Sequence, residues 1–298
     1  VVYLNQGIPA VIFVTWPDMW YHSSHDTPDK LDPTQFKRVA VVGVASMSVL
    51  ATAEDTLAAK VTAENVARGT SRLGQAQRKG MAYLADAATP GELVEAYKEA
   101  RVAVRHQTWV EREVVRSSSV LYASPADAEK KLASLTALIE QRGAALEAEA
   151  KAFYQLRAAQ MNAAADEPKA TEPEAQAARL IPERTAAPGG GPGPGGPGGP
   201  QQQLAQLSAE ERAAVQAALR KVPPHMTAEL NALMAQQATR KRTVLEIRDF
   251  LSGEFEPVPI EDMMGYFRAQ ERIGQVKFTE KAPEPPPATP KKAPRKRS

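Results

Sequence analysis

Residues 7–53 read GIPAVIFVTWPDMWYHSSHDTPDKLDPTQFKRVAVVGVASMSVLATA, and three local patterns follow one another in them. Residues 8–16 (IPAVIFVTW) are β-branched and aromatic and are bounded by Gly7 and Pro17, the length and composition of a strand buried on both faces. Residues 17–31 are polar, rich in turn formers, and carry His22 and His25, two of the chain's 4 histidines. Asp32-Pro33-Thr34-Gln35 then reads as an N-cap, a proline at the first helical position and a glutamine placed for a capping box. This predicts a helix from about Pro33 to Glu54. It is apolar nearly all round, with Phe36, Val39, Val42 and Leu50 among its large residues, as expected of a helix laid on a sheet. Strand, loop and buried helix in this order imply an α/β sheet. The apolar run 39–53 is shorter than the roughly 20 residues that cross a bilayer and contains Ser46, Ser48 and Thr52, so no transmembrane segment is expected.

The same stretch carries an ordered motif. Gly7-Ile8-Pro9-Ala10 leads to Tyr21-His22 and then to Asp26-Thr27-Pro28-Asp29-Lys30-Leu31-Asp32. In order, spacing and strand-loop-helix context this resembles the C-terminal signature of the co-catalytic di-zinc aminopeptidases, peptidase family M-28, over about residues 3–55. The resemblance implies a mixed-sheet α/β domain with two zinc ions as cofactors. It makes His22 a metal ligand and Tyr21 a catalytic residue that hydrogen-bonds the developing oxyanion. Asp26 becomes a supporting carboxylate that accepts from the His22 ring or from loop amides. Trp16 and Trp20 flank the loop, and either pack under it or line the substrate pocket. His25 falls at a position that varies in the family and is expected to face solvent or the cleft.

The family's other ligands (a histidine, a bridging aspartate, a glutamate and another aspartate) and its glutamate general base lie upstream of this signature. The expectation is therefore an N-terminally truncated part of a zinc metallo-exopeptidase, inactive alone. The complete enzyme would hydrolyse N-terminal peptide bonds of peptide or protein substrates, and the resemblance favours an exported, periplasmic or extracellular protein.

Beyond this remnant, residues 1–56 of the domain plan, the sequence becomes helical. Residues 57–165 are rich in Ala, Glu, Arg, Leu and Gln, broken at Pro90 and at Ser124-Pro125. Leu132, Leu135, Leu138, Ile139, Leu146, Phe153 and Leu156 make an apolar stripe that predicts a helix-packing face. Residues 166–203, which include GGGPGPGGPGGPQQQ, read as a disordered linker open to proteases. Residues 204–280 regain periodicity. A capping box at Ser208 and Glu211 opens a helix, Pro223-Pro224 closes it, helices over 243–255 and 259–274 follow, and Gln275–Thr279 is strand-like. This order predicts a winged-helix-like module. Residues 281–298 read as a disordered, proline-rich basic tail.

The charge balance, 37 basic against 35 acidic residues for a formal net +2, excludes a global field that would draw the chain to nucleic acid. The predicted recognition helix, 259–274, opens on Glu261 and Asp262, which a phosphate backbone would repel. No specific nucleic acid is expected, and a protein partner is expected through this C-terminal module. The alternative function is a non-catalytic protein-interaction or nucleic-acid-binding helical module attached to a peptidase. With 0 cysteines, thiolate metal sites and disulfides are excluded, which leaves His, Asp and Glu as metal ligands. His106 and His225 read as ordinary exposed residues.

Overall fold

Side-chain caps and prolines set where the helices begin. In a computed structural model, which describes residues 10–14, 17–185 and 200–281, Asp32 Oδ1 accepts from the amides of Thr34 (2.8 Å) and Gln35 (3.3 Å). It thereby caps helix α1, Pro33–Ala51. Three long helices follow: α2 (Asp55–Asp86), α3 (Pro90–Ser117) and α4 (Pro125–Gln160), each break falling at a proline that starts the next helix. After them come α5 (Glu172–Ala177), strand β1 (Leu180–Arg184), α6 (Pro200–Gln206), α7 (Ala209–Leu219), α8 (Thr227–Ala235), α9 (Val244–Glu254), α10 (Ile260–Arg272) and strand β2 (Val276–Glu280). The chain is mainly helical. Among the described residues no helix is long and apolar enough to cross a membrane.

The chain divides into two compact units. The first comprises residues up to Pro168 together with Asp249–Pro257; the second comprises Lys169–Arg248 and the residues from Val258 on. In the first unit α2, α3 and α4 form an up-down-up bundle. Gly69 against Glu111 with Gly80 against Ala100, and Gly143 against Thr108 with Arg105–Glu147, place neighbours antiparallel, and Thr70–Arg142 with Gln77–Glu149 places α4 parallel to α2. Its apolar core has a cluster of Leu84, Leu93, Tyr97, Ala100, Ala150 and Tyr154, and a second of Leu73, Val115, Leu132 and Ile139. Tyr97 and Tyr154 stack with centroids 4.4 Å apart.

Buried positions on α2 (Ala58, Thr62, Gly69, Leu73, Gly80, Leu84) and on α4 (Ala128, Leu132, Ile139, Gly143, Ala150, Tyr154) alternate steps of four and seven. The resulting repeat of about 11 residues, roughly 3.67 per turn, keeps one face inward along a nearly straight helix. Most of the stripe predicted for α4 packs: Leu132 and Ile139 are buried, and Leu135, Leu146 and Phe153 are partly buried against the clusters. Leu138 and Leu156, at its edges, are 48% and 54% exposed. Elsewhere in the bundle small residues allow a close approach of helices. Gly80 shows the limit: a Cβ there would lie 2.9 Å from Ala100 Cα. Gly→Ala inside a helix ordinarily stabilises by up to about 1 kcal/mol. Gly80→Ala is instead predicted to destabilise by about 1–3 kcal/mol through overpacking, read as a lower urea midpoint. Gly74→Ala, with nothing within 4 Å of its Cβ, should behave in the ordinary way.

Helix α1 forms where expected but is not covered. It has no buried residue, and Phe36, Val41, Val42, Val44, Met47 and Leu50 are all exposed. Residues 10–14 of the expected strand 8–16 carry no strand pairing, with Val11 and Ile12 exposed; residues 8, 9, 15 and 16 lie outside the described residues. A strand exists only through ladder partners, and residues 10–14 have none here. Phe13 does reach α1, where its ring lies 3.7 Å from the position of a Cβ on Gly43.

In the second unit the Ser208–Glu211 capping box is present, Ser208 Oγ accepting from Glu211 N at 3.2 Å and Glu211 Oε2 from Ser208 N at 3.0 Å. Val244, Ile247, Met263, Phe267 and Ile273 are buried. The boundary of the expected linker 166–203 needs correction. Thr171 and Glu174 form a capping box that starts α5, and β1 pairs antiparallel with β2 from Leu180↔Glu280 to Arg184↔Val276. The composition of this stretch hides a strand because its apolar content is small: Ile181 is its one large buried side chain, and the ladder partner lies far along the chain. Residues 186–199 of that linker, and 282–298 of the basic tail, lie outside the described residues.

Candidate metal centre

The loop before α1 is built by short-range hydrogen bonds. Asp18 Oδ1 accepts from Trp20 N at 2.9 Å and starts a turn. Ser23 closes it, its amide donating to Trp20 O at 3.0 Å and its hydroxyl to the same oxygen at 2.6 Å. The Ser23 hydroxyl also accepts from His25 N at 3.2 Å. Thr27 then leads into a short 3-10 turn, Pro28–Lys30, whose Asp29 carboxylate accepts from both the Thr27 hydroxyl and the Lys30 ammonium. These two bonds, Lys30 first, hold the Asp29 carboxyl below the usual carboxylate range.

His22 stands at the corner of the Trp20–Ser23 turn with φ +57°, the left-handed region that a residue with a Cβ enters at some cost. The Tyr21 ring stacks on the His22 imidazole, with centroids 3.9 Å apart and planes 18° from parallel. Trp20 belongs to a different set of contacts. Its ring meets His25 edge-on at 6.2 Å and carries the Lys30 ammonium 5.4 Å from its centroid. The two histidines of the loop thus have different neighbours, His22 with Tyr21 and His25 with Trp20.

All of these side chains are exposed, and Asp26 is joined to the turn by its own amide, which donates to Ser23 O at 3.2 Å. Among the described residues no group of three or more His, Asp or Glu side chains is placed to hold a metal ion. A zinc site takes three or more protein ligands, so His22 and its neighbours do not fit a zinc ion on their own. Trp16 lies outside the described residues. The anchoring roles of Ser23 and Lys30 were not legible from residue types alone, since each acts through a local backbone or ring contact. His106, read as exposed from the charged helix around it, is buried and hydrogen-bonded to Glu254, which corrects that expectation.

Comparison with family models, curated proteins and solved structures gives no match for this chain.

Proposed function

We propose that residues 3–55 are the C-terminal strand, metal loop and helix of a zinc-dependent aminopeptidase domain, and that His22 supplies one ligand of its two-zinc centre. The ordered motif from Gly7 to Asp32 carries this reading. Three observations support it. His22 occupies a strained corner, as residues held for function often do. The loop ends in an Asp32-capped helix, as the motif requires. Phe13 packs on Gly43 while Phe36, Val41, Val42, Val44, Met47 and Leu50 of α1 and Val11, Ile12 and Val14 stay exposed, as a strand-loop-helix unit would when its sheet is supplied by other residues.

Zinc, when bound, would lower the pKa of a water and polarise the scissile carbonyl. The chain's own residues would do the rest of what falls to this loop. Tyr21, stacked on His22, offers its hydroxyl to the developing oxyanion. Trp20, held between His25 and Lys30, forms an apolar wall for a substrate side chain. Activity is assigned to a polypeptide that supplies the remaining ligands together with residues 3–55. Such a polypeptide should release amino-terminal residues from unblocked peptides, spare N-acetylated ones, and stop when a chelator removes zinc. Cleavage that survives the chelator would exclude the reading.

The second unit is read as a protein-contact module with a winged-helix-like order of elements. Three of its basic residues are paired within the unit: Lys221 with Asp262, Arg268 with Glu271 at 2.8 Å, and Arg272 with Glu211 at 2.6 Å. Glu261 and Asp262 in the first turn of α10 would repel a phosphate backbone, which favours a protein partner over DNA.

A further inference from the structure

Residues 249–257, the part of α9 and its exit that belongs to the first unit, meet α2 and α3 through a small set of contacts. Phe250 makes edge-on ring contacts with His106 (centroids 4.7 Å apart, planes at 83°) and Trp109 (5.5 Å, 68°). Gly253 lies against the histidine, where a Cβ would stand 2.3 Å from His106 Cβ, so a side chain at 253 would push the segment off. Glu254 Oε2 lies 3.0 Å from His106 Nε2, and the histidine side chain is only 5% exposed. Lys79 of α2 donates to the carbonyls of Gly253 (3.5 Å) and Phe255 at the C-terminal end of α9. That is where a helix leaves carbonyls unpaired and where its dipole favours a cation.

We propose that residues 249–257 form an acid-released clasp, docked on the α2–α3 face at neutral pH and detached at acid pH while the three-helix bundle stays folded. The bundle has its own core, since neither of its two apolar clusters draws a residue from 249–257. Beside the Phe250 ring contacts, the clasp is held by the His106–Glu254 pair and by the bonds from Lys79. The titratable groups at the contact are Lys79 and Tyr83 from α2, Glu99 and His106 from α3, and Glu254 and Glu256 from the clasp. The hydrogen bond from His106, opposed by burial and aided by the charges of His106 and Lys79, holds the Glu254 carboxyl below its ordinary value. Burial draws the Lys79 ammonium below the ordinary lysine value, against the opposing pull of Glu256, Glu254 and Glu99.

The direction of the pH effect follows from Glu254. A carboxyl lowered in the folded state contributes fully above its unfolded value, and the contribution is lost as pH falls through the folded one. Once Glu254 is protonated, a charged His106 is left in a site 5% open to water without its anion. A buried charge that loses its partner strongly disfavours the arrangement that buries it. Detachment returns that charge to water, and the apolar clusters of the bundle do not change.

Hydrogen exchange of the full chain, corrected for intrinsic rates, tests this between neutral pH and the carboxylate range at about pH 3–4. Amides of 249–257 should lose protection by about tenfold or more, the effect of one charge-assisted hydrogen bond, at a pH where α2–α4 are still protected. Glu254→Gln should bring the same selective loss at a higher pH than in the unaltered chain, because no carboxylate is left to face the imidazolium as it forms. His106→Phe, which keeps an aromatic ring but cannot carry charge, should keep the segment protected in acid. The proposal is overturned if 249–257 and the bundle lose protection together, or if Glu254→Gln leaves the pH of release unchanged. Should Glu254→Gln fold poorly, the pH series on the unaltered chain decides alone.

Discussion

In a polypeptide that joins residues 3–55 to the remaining zinc ligands, His22→Ala is expected to lower aminopeptidase kcat/KM by orders of magnitude. His25→Ala should cost less than the roughly 10–100-fold typical of groups that only support a ligand. The ordering rests on two separate sets of contacts in one loop. His22 sits at the left-handed corner beside the stacked Tyr21, whereas His25 leans on Trp20, 6.2 Å away. Removing His25 frees Trp20, the proposed pocket wall, so its effect should fall on KM more than on kcat. If His25→Ala proved the more damaging, the motif would be displaced by one turn of the loop and Tyr21 would lose its assigned role.

The second large effect is on stability. Glu111 is fully buried in the bundle, with both carboxylate oxygens held by Arg72, from Nε at 2.6 Å and from an Nη at 2.7 Å, and with Gln107 adding a bond of 2.6 Å. Arg72→Met would leave that carboxylate buried with Gln107 as its remaining partner among these. The expected loss is about 3 kcal/mol, the lower end for breaking a buried pair, because Arg72 itself is partly open to water. Arg68→Met, which breaks an exposed pair with Glu64, should cost less than about 1 kcal/mol. Adding Glu111→Leu to Arg72→Met should recover much of the loss, since an apolar pair needs no desolvation of charge. Urea unfolding of the four proteins checks all three statements. Equal costs for the Arg72 and Arg68 changes would mean that water reaches Glu111 freely.

The features legible in the sequence are those fixed by residues a few positions apart. The Asp32 cap, the Ser208–Glu211 box and the starts at Pro90 and Pro125 depend on local geometry, and they stand where the residues place them. Features that depend on distant partners were not legible. The close approach of α2 and α3 at Gly80 depends on Ala100, a fact that residue size on one helix does not reveal. His106 is buried by Phe250 and Gly253, which lie far along the chain. Strand β1 depends on β2 for every ladder bond. Within the candidate site, the identity of His22 came from the motif. Its left-handed backbone and its stacking on Tyr21 came from the fold of the loop, through the two bonds from Ser23 to Trp20 O.

In the proposed function His22 is one ligand of a zinc centre whose other ligands come from residues outside this sequence. Equilibrium dialysis against zinc measures this directly. The 298-residue chain should hold no stoichiometric zinc, because one imidazole with nearby carboxylates falls short of a site. A polypeptide that adds the remaining ligands should hold two ions per chain, with one of them weakened by His22→Ala. One zinc bound tightly to the 298-residue chain and lost in His22→Ala would contradict the account, because His22, His25 and Asp26 would then be a self-sufficient site.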